Sequence, residues 1–368
     1  MSMFIYQRKN WPNFVWNTES LISLLGKVHT LQGKIVGQME AIGFELRSEA
    51  ELSTLTLDIL KTSEIEGEFL NPQQVRSSLA KRLGMDIPYI IHSERDVDGV
   101  VEMMLDVLKK YDEPLTSDRL FDWQASLFPS GRSGMYKINV GRWRDDSSGP
   151  MQVVSGVLGN ETVHFQAPPA GAIGDEMKKF LIWFNGENQI DSVLKAGIAH
   201  LWFVTVHPFE DGNGRIARAL TDMLLARAGN VRQRFYSMST QIRKERNNYY
   251  TILENSQKGE LDITLWLEWF LTCLLNALKS ADEILNKVMS KHRFWNRYSK
   301  DLFNKRQIKM LEILLESFFG KLTTSKWAKI TKCSPDTALR DIQDLVGKDI
   351  LEKDNAGGRS TNYILSLD

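Results

Sequence analysis

A histidine, an acid, two glycines flanking an asparagine, and two arginines fall within one short run: His207-Pro208-Phe209-Glu210-Asp211-Gly212-Asn213-Gly214-Arg215-Ile216-Ala217-Arg218. The glycines permit unusual backbone angles and close approach, and the residues after them have the periodicity of a helix starting near Arg215. First-turn amides lack intrahelical partners, and the helix dipole adds about half a positive charge there, so the run forms an anion site. Arg215 and Arg218, three apart, share a face near that helix start and add two guanidinium forks suited to phosphate oxygens. Arginines at this end oppose the dipole, which argues against a purely structural role.

Asp211 precedes the glycines as a hard oxygen ligand, where Mg²⁺ is commonly held by one or two carboxylates plus substrate phosphates. His207 ends a very apolar helix, and an imidazole with an ordinary pKa near ~6.5 suits removal of a hydroxyl proton at neutral pH. Taken singly, a histidine before proline is commonly a helix end and Gly-Asn-Gly a turn. The conjunction of base, metal ligand and phosphate cradle in one loop carries the functional reading.

The run resembles the signature of the Fic family, HPFx[D/E]GNGRxxR, with Asp211 at the acidic position and every specified position matched. The likeness extends over about residues 141–270, taking in Gly141-Arg142-Trp143-Arg144 and Ala199-His200-Leu201-Trp202-Phe203. It implies a protein adenylyltransferase, moving AMP from Mg-ATP to a Ser, Thr or Tyr hydroxyl of a protein with release of diphosphate. His207 would take the hydroxyl proton and Asp211 would hold Mg²⁺. Gly212, Asn213, Gly214, Arg215, Ile216, Ala217 and Arg218 would bind the ATP phosphates. A hairpin flap at 150–168 would align the target by strand addition. Tyr249 and Tyr250 stand where relatives line the adenine pocket, with Tyr250 preferred; a core aromatic pair is the alternative.

Thr62-Ser63-Glu64-Ile65-Glu66-Gly67 resembles the family's inhibitory motif [S/T]xxxE[G/N]. Thr62 and Glu66 share a helix face, and Gly67 stops the helix where Glu66 can project. The resemblance implies that Glu66 pairs with Arg218 and obstructs the γ-phosphate position. Removal of AMP, transfer of another phosphate-containing group, and a nucleotide-sensing DNA-binding regulator stand as alternatives.

The elements that must position these groups are mainly α-helical. Periodic apolar residues predict helices over 20–43, 48–65, 72–83, and 90–127 with a break at 113–115. Met151–Ser155 and Thr162–Phe165 read as a β-hairpin across 156–161. Helices resume over 175–185, 191–206, 214–228, 244–257 and 263–291. After Asn304, helices to 318, over 324–331 and over 334–346, then strands at 350–353 and 362–365, read as a winged helix-turn-helix. The expected architecture is a Fic-type helical bundle with a small hairpin flap. Its divisions are an N-terminal helical module (1–90) with the inhibitory motif at 62–67, a catalytic core (91–300), and the winged helix (301–368).

Lysine plus arginine equals aspartate plus glutamate at 46 each, so no global field draws the molecule to nucleic acid or anionic lipid. Residues 300–368 carry 12 Lys or Arg against 10 Asp or Glu, weak for a phosphate-neutralising surface. Arg340 on the recognition helix and Arg359 in the wing are the residues that could meet DNA, with protein docking at least as well supported. Cys273 and Cys333 offer neither a disulfide framework nor a CxxC site. The N-terminus lacks secretory features and the most apolar stretch, 266–278, falls short of the ~20 residues of a membrane span. A cytoplasmic protein is expected, whose target could be itself; a homodimer stays open.

Overall fold

The computed structural model describes every residue except 1–2, 42–43, 86–90, 148, 156–161, 188, 230–234, 317–320, 355–360 and 367–368. Its helices run α1 (Thr18–Ala41), α2 (Phe44–Ile65), α3 (Pro72–Leu83), α4 (Arg95–Lys109), α5 (Ser117–Leu127), α6 (Ala170–Asn185), α7 (Ser192–Val206), α8 (Asn213–Gly229), α9 (Met238–Lys244), α10 (Arg246–Gln257), α11 (Thr264–Arg297), α12 (Lys305–Glu316), α13 (Thr324–Thr331) and α14 (Pro335–Gly347). Three antiparallel two-stranded ribbons accompany them: β1–β2 (Arg132–Ser133, Tyr136–Lys137), β3–β4 (Gln152–Ser155, Thr162–Gln166) and β5–β6 (Leu351–Lys353, Tyr363–Leu365). No described helix is long and apolar enough to cross a membrane.

Local chemistry explains most boundaries. Asn71 caps α3 by accepting from the amides of Gln73 and Gln74, Pro72 fills the first turn, and Gly84 closes it in the left-handed region. Asp191 caps α7 through the amides of Val193 and Leu194. Two expectations need correction. The helix expected over 244–257 is two, because Glu245 leaves helical geometry between α9 and α10 (φ −106°, ψ 25°). The helix expected from 175 begins at Ala170, whose amide is received by the Asp146 carboxylate. The β1–β2 ribbon, too short to show alternation, was not expected at all.

The chain forms two compact units, Met1–Ala281 and Asp282–Asp368. The N-terminal helices, the flap and the 207–218 loop lie together in the first unit, and the boundary between the units falls at the Ala281–Asp282 step inside α11. Its physical reason is aromatic: Phe294 packs at 5.0–6.5 Å from Trp295, Tyr298 and Phe303, inside the core built by Met310, Leu311, Trp327, Ile342 and Leu345. That second unit contains α12–α14 and the β5–β6 ribbon, with Arg340 exposed on α14. Arg359 lies outside the described residues.

In the first unit α7 and α8 form the central pair. Every residue of α7 from Val193 to Val206 except Lys195 is buried, so the helix is apolar all round as a core helix must be. Burying each large apolar side chain is worth about 1.5–3 kcal/mol, so the loop joining α7 to α8 is anchored at both ends. The N-terminal segment packs on the flap: Phe4 and Tyr6 meet the Phe165 ring edge-on at 5.1 and 6.1 Å.

Candidate active site

The loop between α7 and α8 is folded by its own polar side chains. Asn213 is buried; its Oδ1 accepts from Phe209 N (2.9 Å) and its Nδ2 donates to Phe209 O (2.7 Å). Glu210 receives the backbone amide of Asn139 at 3.0 Å, and also its side-chain amide. Gly212 takes φ +88°, a left-handed angle that disfavours a side chain. Ile216 N donates to Gly212 O at 3.0 Å, so the amides of Asn213, Gly214 and Arg215 precede the first intrahelical bond of α8.

His207 caps α7 in the left-handed region (φ 51°, ψ 59°), a conformation costing a non-glycine residue of order 1 kcal/mol or more. Its Nδ1 donates to Val204 O at 3.2 Å, which leaves Nε2 as the unprotonated nitrogen of the neutral ring. Burial pushes the imidazole pKa below its ordinary value, against the Val204 hydrogen bond, which raises it, and with the Arg144 charge, which lowers it further. The ring is thus held neutral, the state a proton acceptor requires. The side chain opens on a cavity of about 640 Å³ whose walls include Gly214, Glu66, Phe165 of the flap, and Tyr250 and Glu254 of α10.

Glu66 occupies the cradle. Its Oε1 accepts from Arg218 Nη2 at 2.7 Å, and a Cβ built on Gly214 would lie 2.1 Å from the same oxygen. Only glycine fits at 214 with the carboxylate there. Thr62 completes the grip, its Oγ1 accepting from Arg218 Nε (2.7 Å) and its carbonyl from Nη2 (2.9 Å). Burial disfavours the Arg218 charge, but the Glu66 carboxylate together with Tyr249 and Tyr250 holds the pKa above the ordinary value. Gly67, at φ +88°, turns the chain after α2. Among the described residues the buried Nη1 of Arg218 has no hydrogen-bond partner, and it lies 3.2 Å from the position of that Gly214 Cβ.

Arg215 points elsewhere. It is 2% exposed, ion-paired to Glu68 at 2.5 Å and laid over the Phe128 ring at 4.9 Å. The turn after α2 therefore carries two carboxylates, one for each arginine, of which sequence reasoning found only Glu66. Ile216 and Ala217 are fully buried, and with the Ile216 amide committed to Gly212 these two contribute packing.

The structure separates the two tyrosines. Tyr249 is buried, its hydroxyl 2.9 Å from His200 Nε2, and burial drives its pKa far up. Tyr250 is half-buried, lines the cavity, and carries the Arg246 guanidinium 4.9 Å from its ring centre.

Asp211 Oδ1 accepts from Gly212 N at 2.6 Å and Oδ2 receives the Ser133 hydroxyl from the β1–β2 ribbon. Among the described residues no cluster of three or more metal-ligating side chains occurs. A single carboxylate beside an anion cradle fits Mg²⁺ arriving with nucleotide phosphates, since that ion keeps waters and takes few protein ligands. Residues beyond the motif also serve the site. Arg144, fully buried, donates from Nε to His207 O at 2.8 Å, and its backbone N donates to Pro208 O at 2.9 Å.

Residues 114–225 match the Fic/DOC family, and residues 4–85 match a domain of unknown function, DUF4172. The protein adenylyltransferase Fic of Drosophila mojavensis is 35% identical over 96 residues, covering 26% of this chain and 18% of the relative. The protein adenylyltransferase fic-1 of Caenorhabditis elegans is 28% identical over 257 residues, 65% of this chain and 45% of the relative. The chain thus spans less than half the length of these curated relatives. A Fic family protein from Desulfovibrio desulfuricans G20 shares the fold, with a TM-score of 0.52 at 21% identity over 95% of this chain and 97% of that one. The Caenorhabditis elegans Fic-1 structure gives 0.50 at 22% identity over 74% and 76%.

Proposed function

From a chain that carries a Fic/DOC family domain on the fold of that family, we propose a protein adenylyltransferase that moves AMP from Mg-ATP to a Ser, Thr or Tyr hydroxyl and is restrained by Glu66. One observation carries the reading: an anion cradle at the start of α8, filled by the protein's own carboxylate, adjoins a cavity onto which a neutral histidine opens. The relatives' names supply the reaction class, and the site supplies its parts.

The target hydroxyl would be received by Nε2 of His207, whose Nδ1 is already committed to Val204 O. As its oxygen bonds to the α-phosphorus, the bond from that phosphorus to the bridging oxygen of the β-phosphate breaks. Diphosphate leaves, and the hydroxyl proton rests on His207. Amides of the α8 first turn and the Arg218 fork would receive the phosphate oxygens once Glu66 withdraws, leaving catalysis largely to positioning and charge stabilisation. Asp211 would hold Mg²⁺, which when bound neutralises phosphate charge. Tyr250, Val153 and Phe165 would bracket the base, all three lining the same cavity. Strands β3 and β4 expose Val154 and Val163 toward solvent, suiting the flap to align an extended target segment.

Transfer from α-labelled ATP tests the reading. Label should pass to protein with Glu66→Gly, and none should pass when His207→Ala is added. Equal transfer with and without His207 would remove it as the base.

A further inference from the structure

We propose that Arg144 is a positioning residue for this transfer: one buried guanidinium ties the carbonyl of His207 to the carbonyl at the root of the flap, fixing the base relative to the strand that aligns the target. The role deepens the adenylyl-transfer reading and rests on it.

Arg144 does not itself line the cavity, so it acts through the residues that do, His207 first among them. Its Nε donates to His207 O at 2.8 Å and its backbone N–H to Pro208 O at 2.9 Å, so both carbonyls of the His207-Pro208 turn depend on one residue. Its Nη2 donates to Pro168 O, two residues past the end of β4, and its Nη1 meets Asp146 Oδ1 at 3.2 Å. Asp146 in turn receives the Ala170 amide at the start of α6 at 2.8 Å. One side chain thus spans α7, the flap root and the approach to α6.

The chemistry of the pairing argues against a packing role. The guanidinium is removed from solvent, yet two of its partners are neutral carbonyls and its carboxylate is 40% exposed. Burying a cation in this way is expensive, and an apolar residue of similar volume would fill the space at no such penalty. What an apolar residue cannot supply is a rigid fork of donors aimed at several acceptors. His207 is the residue that needs it: in its left-handed conformation the carbonyl turns away from the helix axis and requires an external donor. Displacement of the base by about 1 Å can lower a rate by roughly 100-fold.

Arg144→Lys, introduced into Glu66→Gly protein, keeps the charge and loses the fork. AMP transfer should fall about 10- to 100-fold in kcat with ATP affinity nearly unchanged, while thermal unfolding shifts down as buried acceptors lose a donor. Without turnover, the imidazole NMR signals of His207, assigned with His207→Ala, should shift in Arg144→Lys protein. Unchanged kcat and unchanged His207 signals would overturn the proposal, as would a loss of kcat matched by loss of ATP affinity. Should Arg144→Lys fail to fold, Asp146→Asn loosens the same fork and should lower kcat less, with the same split from ATP affinity; an unaltered His207 spectrum there would also overturn it. If Glu66→Gly protein transfers no AMP at all, the adenylyl-transfer reading falls, and the His207 spectrum still decides where Arg144 holds the ring.

Discussion

The Glu66 carboxylate stands against Gly214 so closely that a methyl group at 214 would lie 2.1 Å from Oε1. The acid is held there by Arg218 and not by Gly214, since its ion pair at 2.7 Å runs to the guanidinium. Under the proposed function the ATP phosphates and the Glu66 carboxylate would compete for this one place.

Glu66→Gly should raise AMP transfer by about 30- to 150-fold if the restrained arrangement is favoured by ~2–3 kcal/mol. Thermal stability should fall far less than for a core truncation, because the side chain is 29% exposed and no cavity opens. The measurement is label transfer at saturating ATP. Equal rates for folded wild type and variant would show that Glu66 does not restrain the enzyme, and loss of AMP from a modified target only when Glu66 is present would assign it to the reverse reaction.

Glu68→Gln should deprive the buried Arg215 of its carboxylate and loosen the same turn from α8. Because Glu66 and Glu68 share one turn, activation by the two substitutions together should be non-additive, with a coupling of about 0.5–2 kcal/mol in a double-mutant cycle. Strict additivity of the logarithms of the rates would mean that the two grips act separately.

Ser133→Ala should loosen Asp211, whose Oδ2 receives the Ser133 hydroxyl, and so raise the magnesium concentration needed for half-maximal nucleotide binding by ~10-fold, the lower end of the range for partners of metal ligands. Asp211→Ala should weaken the magnesium-dependent part of binding more strongly. A calorimetric titration of ATP at several magnesium concentrations decides; unchanged dependence in Asp211→Ala would count against its assignment.

His200, enclosed by Thr221 Oγ1 (3.0 Å) and Tyr249 OH (2.9 Å), has its pKa lowered to about 3, mainly by burial and further by Arg218. The unfolded chain takes up a proton near the ordinary value of ~6.5 while the folded one stays neutral. This contribution to stability is therefore complete above ~6.5 and is lost as pH falls toward 3, at about 1.4 kcal/mol per pH unit. Denaturant unfolding of wild type and His200→Gln across pH 4–7 (roughly the window this linkage sets) should show a shallower acid slope in the variant. Parallel slopes would show that His200 is protonated in the fold.

Much of this architecture was legible from local signals. The Asn71-Pro72 start of α3 and the Gly84 stop are short-range chemistry, and the run from His207 to Arg218 carries its own loop-forming residues. What stayed hidden depends on contacts between distant positions. Nothing near Glu68 points to Arg215, 147 residues away along the chain. The sequence around Arg144 says nothing of its fork on His207 O and Pro168 O, which lie 63 and 24 residues away. Two-residue strands such as Arg132–Ser133 have no periodicity to read, so the Ser133 contact with Asp211 had no precursor signal. Tyr249 and Tyr250 are adjacent in sequence, and the enclosure of one by His200 and the cover of the other by Arg246 distinguish them.

The turn that follows α2 holds Glu66 and Glu68 on two arginines of a single helix, which makes it a tethered ligand for the protein's own anion site. A tethered ligand acts at an effective concentration set by the geometry of its attachment, independent of how much protein is in solution. Dilution leaves its occupancy unchanged. Under the proposed function free nucleotide would displace it by mass action, so the ATP concentration at half-maximal occupancy would rise with every increment in the strength of the tether's grip.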